Sequence, residues 1–185
     1  MGNLKIIIQP IGITNAEDVD YLAENLSKSF PFDITIFPVI WSMQPPYGSY
    51  NIERMQYNAD LINNFLANYY KDYIKDNVYV LGIAGFDGYY EGLNFVFGLA
   101  NIDLRVATVY TERLKDAGSL NIYKERLLKE SIHELGHLFG LGHCKNKGCV
   151  MNFSNNLEEV DKKGKDFCEE CKLKLKKFKY QLQNQ

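Results

Sequence analysis

The apolar positions of this chain switch between strand-like runs and a helical period near 3.6, and the switches outline its elements. Residues 4–9, LKIIIQ, form an almost unbroken apolar run, the pattern of a strand buried on both faces. Val19, Leu22 and Leu26 recur at helical spacing and predict a helix over residues 16–29. A second strand is expected over 33–40, and Pro45, Pro46 and Gly48 make 41–50 a loop. Met55, Leu61, Ile62, Phe65 and Leu66 predict a long amphipathic helix over 52–70. Residues 78–84 are apolar enough for a central strand, and Asp87-Gly88 signals a turn after it. Two more strands are expected over 94–100 and 104–110. A helix over 121–139 would turn Leu128, Ile132, Leu135 and Phe139 to the core, and a last helix would start at Cys168. The order predicts an α/β (α+β) fold: a twisted mixed β-sheet carrying helices, then a small irregular C-terminal part.

The histidines and cysteines change this picture most. All three histidines lie in HELGHLFGLGH, residues 133–143. His133 and His137 are four apart, so on a helix they share one face and can reach one Zn²⁺ at roughly 2.0–2.1 Å each. Gly140 can take the left-handed conformation that ends a helix, which turns His143 back as a third ligand. Three protein ligands leave a fourth position open, the arrangement of a catalytic zinc. Glu134 stands beside the metal as general base, and a purely structural site would have no use for it. Four cysteines follow at once, Cys144, Cys149, Cys168 and Cys171, in two short-spaced pairs suited to a closed, structural tetrathiolate zinc. Two zinc ions per chain are therefore expected, and the seven ligands use up every histidine and cysteine.

HELGHLFGLGH resembles the long zinc signature of the metzincin metalloproteases. Its continuation, HCKNKGCVMNF and then FCEEC, resembles one branch in particular, the archaemetzincins. Sixteen residues separate Met151 from the CxxC pair, one fewer than in the family pattern, a difference a loop absorbs easily. The resemblance implies a metzincin-like fold with an active-site helix and a single metalloprotease domain. Residues 1–142 would be its upper sheet-and-helix part, and 143–185 a lower part stapled by the cysteine zinc. It implies that Met151 is the Met-turn methionine, packed beneath the zinc ligands without binding metal. It also implies that the NFVFGLAN strand is the sheet edge above the active site. There Phe97, Gly98, Leu99 and Ala100 would meet an extended peptide, with Gly98 allowing close approach. Zinc-dependent hydrolysis of peptide bonds follows as the expected activity. The rival is a zinc-stabilised protein that binds peptides or a partner with little turnover.

The remaining features mostly narrow the setting. The length suits one domain with a sizeable core. A formal charge of −2 gives no electrostatic case for nucleic acid or membrane, and no apolar run approaches the ~20 residues of a bilayer span. The start, MGNLKIIIQPIG, lacks the pattern of a signal peptide. A cytoplasmic monomer is expected, with thiols reduced and clustered for metal rather than paired in disulfides. The run KLKLKKFKY reads as a solvated helix face. Tyr89, Tyr90 and the loop around Trp41 leave pocket lining and buried packing both open.

Overall fold

A computed structural model describes residues 3–75 and 77–184. In chain order the elements are β1 (Leu4–Ile11), α1 (Ala16–Asn25), β2 (Ile34–Pro38), β3 (Tyr50–Asn51), β4 (Gln56–Asn58), α2 (Ala59–Tyr69), β5 (Val78–Ala84), β6 (Gly88–Tyr89), β7 (Gly98–Asn101), β8 (Val106–Tyr110), α3 (Leu120–Leu138), α4 (Leu157–Lys162) and α5 (Glu169–Gln183). The main sheet runs β2-β1-β5-β8-β7, and β3-β4-β6 form a small second sheet. The first four strands of the main sheet are parallel; β7 closes it antiparallel to β8 and leaves one side as an edge.

Helices cover both faces, as a parallel sheet requires. Leu81 and Ile83 of β5 join Leu4, Ile6, Ile8, Ala107 and Val109 in the larger core, which α1 and α3 complete. Val80 and Val106 pack instead with Ile62 and Leu66 of α2. The alternation along β5 thus splits its side chains between two layers. α3 lies against β7 and β8, which puts the histidine helix beside the sheet edge. Among the described residues no helix is long and apolar enough to cross a membrane.

The mixed α/β architecture is as expected, while several boundaries move for local reasons. The helix expected over 52–70 starts only at Ala59. Upstream, the Asn51 side chain accepts the backbone N–H groups of Glu53 and Arg54 at 3.0 and 3.1 Å, and Met55 sits at φ 53°. Asn58 then caps α2 by accepting Leu61 N–H at 3.2 Å. The Asn51 turn and the Asn58 cap together overrule an apolar period that ran on past Asn58. Helix 16–29 is α-helical to Asn25 and tightens to a 3₁₀ turn over Leu26–Ser29. The strand expected over 94–100 begins only at Gly98: Phe95 and Phe97 turn toward the larger core with ring centroids 5.0 Å apart, while Leu99 packs on the opposite side. Gly88 is already in β6, so the chain bends at Gly85–Phe86, just before the expected turn.

One buried polar residue ties the layers together. Asn63 of α2, 1% exposed, donates through Nδ2 to the Leu99 carbonyl of β7 at 3.0 Å and accepts the Thr108 hydroxyl of β8 at 2.7 Å. Asn63→Leu would leave the buried Thr108 hydroxyl without its acceptor and strip the Leu99 carbonyl of its side-chain donor. We expect it to lower stability by about 1–3 kcal/mol, read as a shift in the urea midpoint.

Candidate active site

The site begins with the way α3 ends. Gly140, at φ +85°, lets the chain reverse. Its N–H donates to His137 O at 3.0 Å, and the Leu141 N–H donates to Gly136 O at 2.9 Å. This pair of bonds is the Schellman arrangement, with buried Leu141 as its apolar anchor. Phe139 holds the same end in place: its ring meets those of Phe30 at 5.5 Å, Tyr79 at 5.2 Å and Phe178 at 5.2 Å. The reversed chain brings His143 back to the helix, its ring 4.9 Å from that of His137 and 5.4 Å from that of His133.

The imidazoles are oriented by the backbone. His133 Nδ1 donates to the Val150 carbonyl at 2.8 Å, and His137 Nδ1 to the Leu141 carbonyl at 2.8 Å. Each bond fixes the tautomer and leaves Nε2 as a lone-pair donor aimed into the site. The two Nε2 atoms face each other at 3.0 Å. Two nitrogens on one tetrahedral Zn²⁺ stand about 3.3 Å apart, so the pair fits a shared cation. One donor atom from each of the three histidines lies within 4.8 Å of the others. Burial pushes the His133 and His137 pKa values below the usual range, partial desolvation does the same for the more exposed His143, and the Lys163 charge adds to each. Neutral imidazole is the metal-binding form.

Glu134 lies with them, 5% exposed, against the sheet edge. A Cβ at Gly98 would come within 2.5 Å of its Oε1. The absent side chain at Gly98 therefore makes room for this carboxylate. Burial pushes Glu134 up to about 8, the neighbouring Glu130 adds to the rise, and Lys163 opposes it. On the other side of the helix, a Cβ at Gly136 would collide with the Met151 sulfur. Met151 is fully buried under the turn that carries the histidines, and its carbonyl accepts Cys144 N–H at 2.9 Å.

The four cysteines form a second cluster. Cys144 and Cys168 sulfurs are 3.8 Å apart, as are those of Cys149 and Cys171. A disulfide would need about 2.05 Å, whereas sulfurs sharing one tetrahedral Zn²⁺ stand about 3.8 Å apart. All four thiols are free, and their sulfurs lie within 4.8 Å of one another. Cys168 caps α5, and the Cys171 N–H draws its thiol pKa down, as a helix N-terminus does. Burial pushes the Cys149 and Cys171 thiols up.

A cleft of about 520 Å³ joins the histidines to the sheet edge. Phe97, Gly98, Leu99 and Ala100 all line it, together with His133, Glu134, His137 and His143. Tyr90 and Phe153 line it too, and Phe153 packs on the His143 ring at 4.8 Å. Tyr89 lies under the Arg54 guanidinium, and Trp41 packs on Tyr69 away from the cleft lining. The C-terminal lysines are on an exposed face, with Lys172 and Lys174 paired to Glu169 and Glu170. Sequence reasoning missed Glu130, which lines the cleft, and Lys163, its buried partner at 2.7 Å. Glu130 stands four residues before Glu134 and so was open to a stripe argument; Lys163 carried no signal.

A helix-borne pair of imidazoles with an acid between them, open to a cleft below a sheet edge, places the chain among the metallopeptidases. The model of peptidase family M54 matches residues 34–177. The chain is 43% identical over 179 residues to the archaemetzincin of Aeropyrum pernix, with 94% of each chain covered. It is similar to the crystal structure of archaemetzincin from Archaeoglobus fulgidus complexed with malonate, at 38% identity and a TM-score of 0.79, covering 92% of this chain and 99% of that one. It is also similar to a zinc-dependent peptidase from Methanocorpusculum labreanum, at 28% identity and a TM-score of 0.82, with the same coverage. The chain belongs to peptidase family M54, the archaemetzincins, and with them to the zinc-dependent peptidases.

The raised Glu134 pKa sets a pH test on metal-free protein. The unfolded chain ionises this group near 4.5, but the folded protein holds the proton up to about 8. Stability tied to Glu134 is therefore full below about pH 4.5 and is lost as pH rises toward 8. After chelation, Glu134→Gln should be more stable than wild type at pH 7, by roughly 2–3 kcal/mol at most. The gap should close near pH 4. Parallel melting curves at the two pH values check this, and an unchanged gap contradicts the burial argument.

Proposed function

We propose that His133, His137 and His143 hold a catalytic zinc, that Cys144, Cys149, Cys168 and Cys171 hold a structural one, and that Glu134 is the general base of peptide-bond hydrolysis. The observation that carries this reading is the pair of Nδ1 hydrogen bonds, which present two Nε2 lone pairs to one point beside a buried carboxylate. Bound there, zinc supplies Lewis acidity, polarising the scissile carbonyl and lowering the pKa of water toward ~7. Glu134 takes the proton of the attacking water and returns it to the leaving amine.

The substrate is a peptide or protein segment lying extended along β7. The unpaired side of that strand offers backbone groups, and Phe97, Leu99 and Ala100 flank the cleft. Gly98 leaves room for Glu134 and, on the cleft side, for the close approach of a substrate backbone. Met151 acts as the Met-turn residue, supporting the helix at Gly136. Residues 1–142 serve as the upper part of a single domain and 143–185 as the lower, with the cleft between them. Free thiols gathered in a metal-binding set support a reducing, cytoplasmic setting. We read the active unit as a monomer.

Freshly purified protein should hold two zinc ions by elemental analysis. Glu134→Gln should keep both and lose roughly 10²–10⁴-fold in hydrolysis rate, while His137→Ala loses one. Loss of zinc from Glu134→Gln would make the carboxylate a ligand and remove it as base. Mass spectrometry of products from a peptide mixture then separates internal cutting from release of single N-terminal residues. No cleavage by the two-zinc protein would favour a binding role.

Cys168→Ser should lower both melting temperature and zinc content, because one lost thiolate opens a closed coordination shell. Activity should fall with it, since Cys144 adjoins His143. A variant with wild-type melting temperature and two zinc ions would refute the tetrathiolate.

A further inference from the structure

Glu130 and Lys163 form an ion pair of 2.7 Å with side chains only 4% and 1% exposed, and the reaction derived above uses neither. Taking two charges out of water is expensive, and apolar side chains of similar size would hold the same surfaces together without that cost. The contacts of the pair show what the charges add. Lys163 Nζ also donates to the Asn152 carbonyl at 3.4 Å. Asn152 in turn donates through Nδ2 to Cys144 O at 2.8 Å and through its backbone N–H to Cys149 O at 2.9 Å. Two residues back, the Val150 carbonyl accepts His133 Nδ1. The lysine therefore sits where α3, the 150–152 segment and the cysteine cluster meet.

Lys163 is itself firmly placed. It directly follows α4, and the buried α3 residues Arg126 and Lys129 grip that short helix. Arg126 binds the Asp161 carboxylate with two bonds of 2.7 Å, and Lys129 donates to the Val160 and Asp161 carbonyls at 3.2 and 3.1 Å. Glu130 lines the same cleft as Glu134, one helical turn away. Without its lysine, its carboxylate would be an unpaired anion beside three cation-binding imidazoles.

We propose that Glu130 and Lys163 are positioning residues. They pin the 150–152 segment to α3, hold the Val150 carbonyl under His133, and keep the Glu130 carboxylate away from the catalytic cation. This rests on the reading of the three histidines as ligands of the catalytic zinc.

The test compares Lys163→Met, Glu130→Gln and the double variant, each loaded with zinc. Zinc release to a colorimetric chelator, melting temperature, kcat and KM are measured for each. His137→Ala, which keeps only the cysteine zinc, identifies the slow phase of release. Each single variant should release the histidine zinc 10–100-fold faster than wild type, with the slow phase unchanged and kcat falling more than KM changes. The double variant leaves no charge unpaired, so it should regain most of the melting temperature and still release that zinc fast. If the double variant held zinc like wild type, or failed to fold, the pair would be only part of the scaffold and the proposal would be overturned. It would equally be overturned if both phases sped up in step with lost stability. Wild-type protein with one zinc, or His137→Ala with unchanged zinc, would instead overturn the histidine reading itself.

Discussion

The two hydrogen bonds from imidazole Nδ1 to backbone carbonyls govern the layout of the site. Each needs a carbonyl that no helix or strand has claimed, at a fixed place beside α3. Leu141 O is available because the helix stops at Gly140 and the chain reverses there. Val150 O is available because the segment beneath the helix is irregular, with its N–H spent on Asp166 O. The helix end and the irregular segment thus serve one requirement, two imidazoles turned the same way. The sheet serves it indirectly, by giving α3 a rigid, two-sided support.

An irregular segment in that position is hard to hold with apolar packing alone. The chain between α3 and α5 contains one helix, the six residues of α4. Polar crosslinks stand in for longer elements. Four sulfurs converge at one end, and Arg126, Lys129 and Glu130 reach from α3 at the other. Met151 fills the space between, its sulfur against Gly136, as a soft side chain suited to an irregular gap.

Much of this was legible in the sequence, because its strongest signals are local. His133 and His137 one turn apart, Gly140 as the stop, and two short cysteine pairs all depend on spacing within a few residues. The strand β5 and helix α3 were equally plain, being long and well patterned. Errors fell where two local signals competed. At 52–57 the apolar period argued for helix, while Asn51 and Asn58 carried turn and cap chemistry, and the asparagines prevailed. At 94–99 alternating aromatics argued for one strand; Phe95 and Phe97 do share a face toward the larger core, but Leu99 packs on the opposite side, so the alternation breaks where β7 begins. Lys163 was illegible for another reason. A lysine outside any motif reads as solvated, and only the fold reveals that a residue 33 positions after Glu130 lies buried against it.

Gly98 and Gly136 place α3 between two backbone-close contacts, Glu134 against the edge strand and Met151 against the helix. A side chain at either position would push the helix away from one of its neighbours. The helix is therefore set in place before any substrate arrives, and its order is part of the folding free energy. A bound peptide need not organise the base or the imidazoles, so its binding energy is left for its own alignment along the cleft. Mobility useful to turnover then has to reside in the substrate and the cleft's exposed rim, where Tyr90, Leu93 and Phe153 keep much of their surface in water.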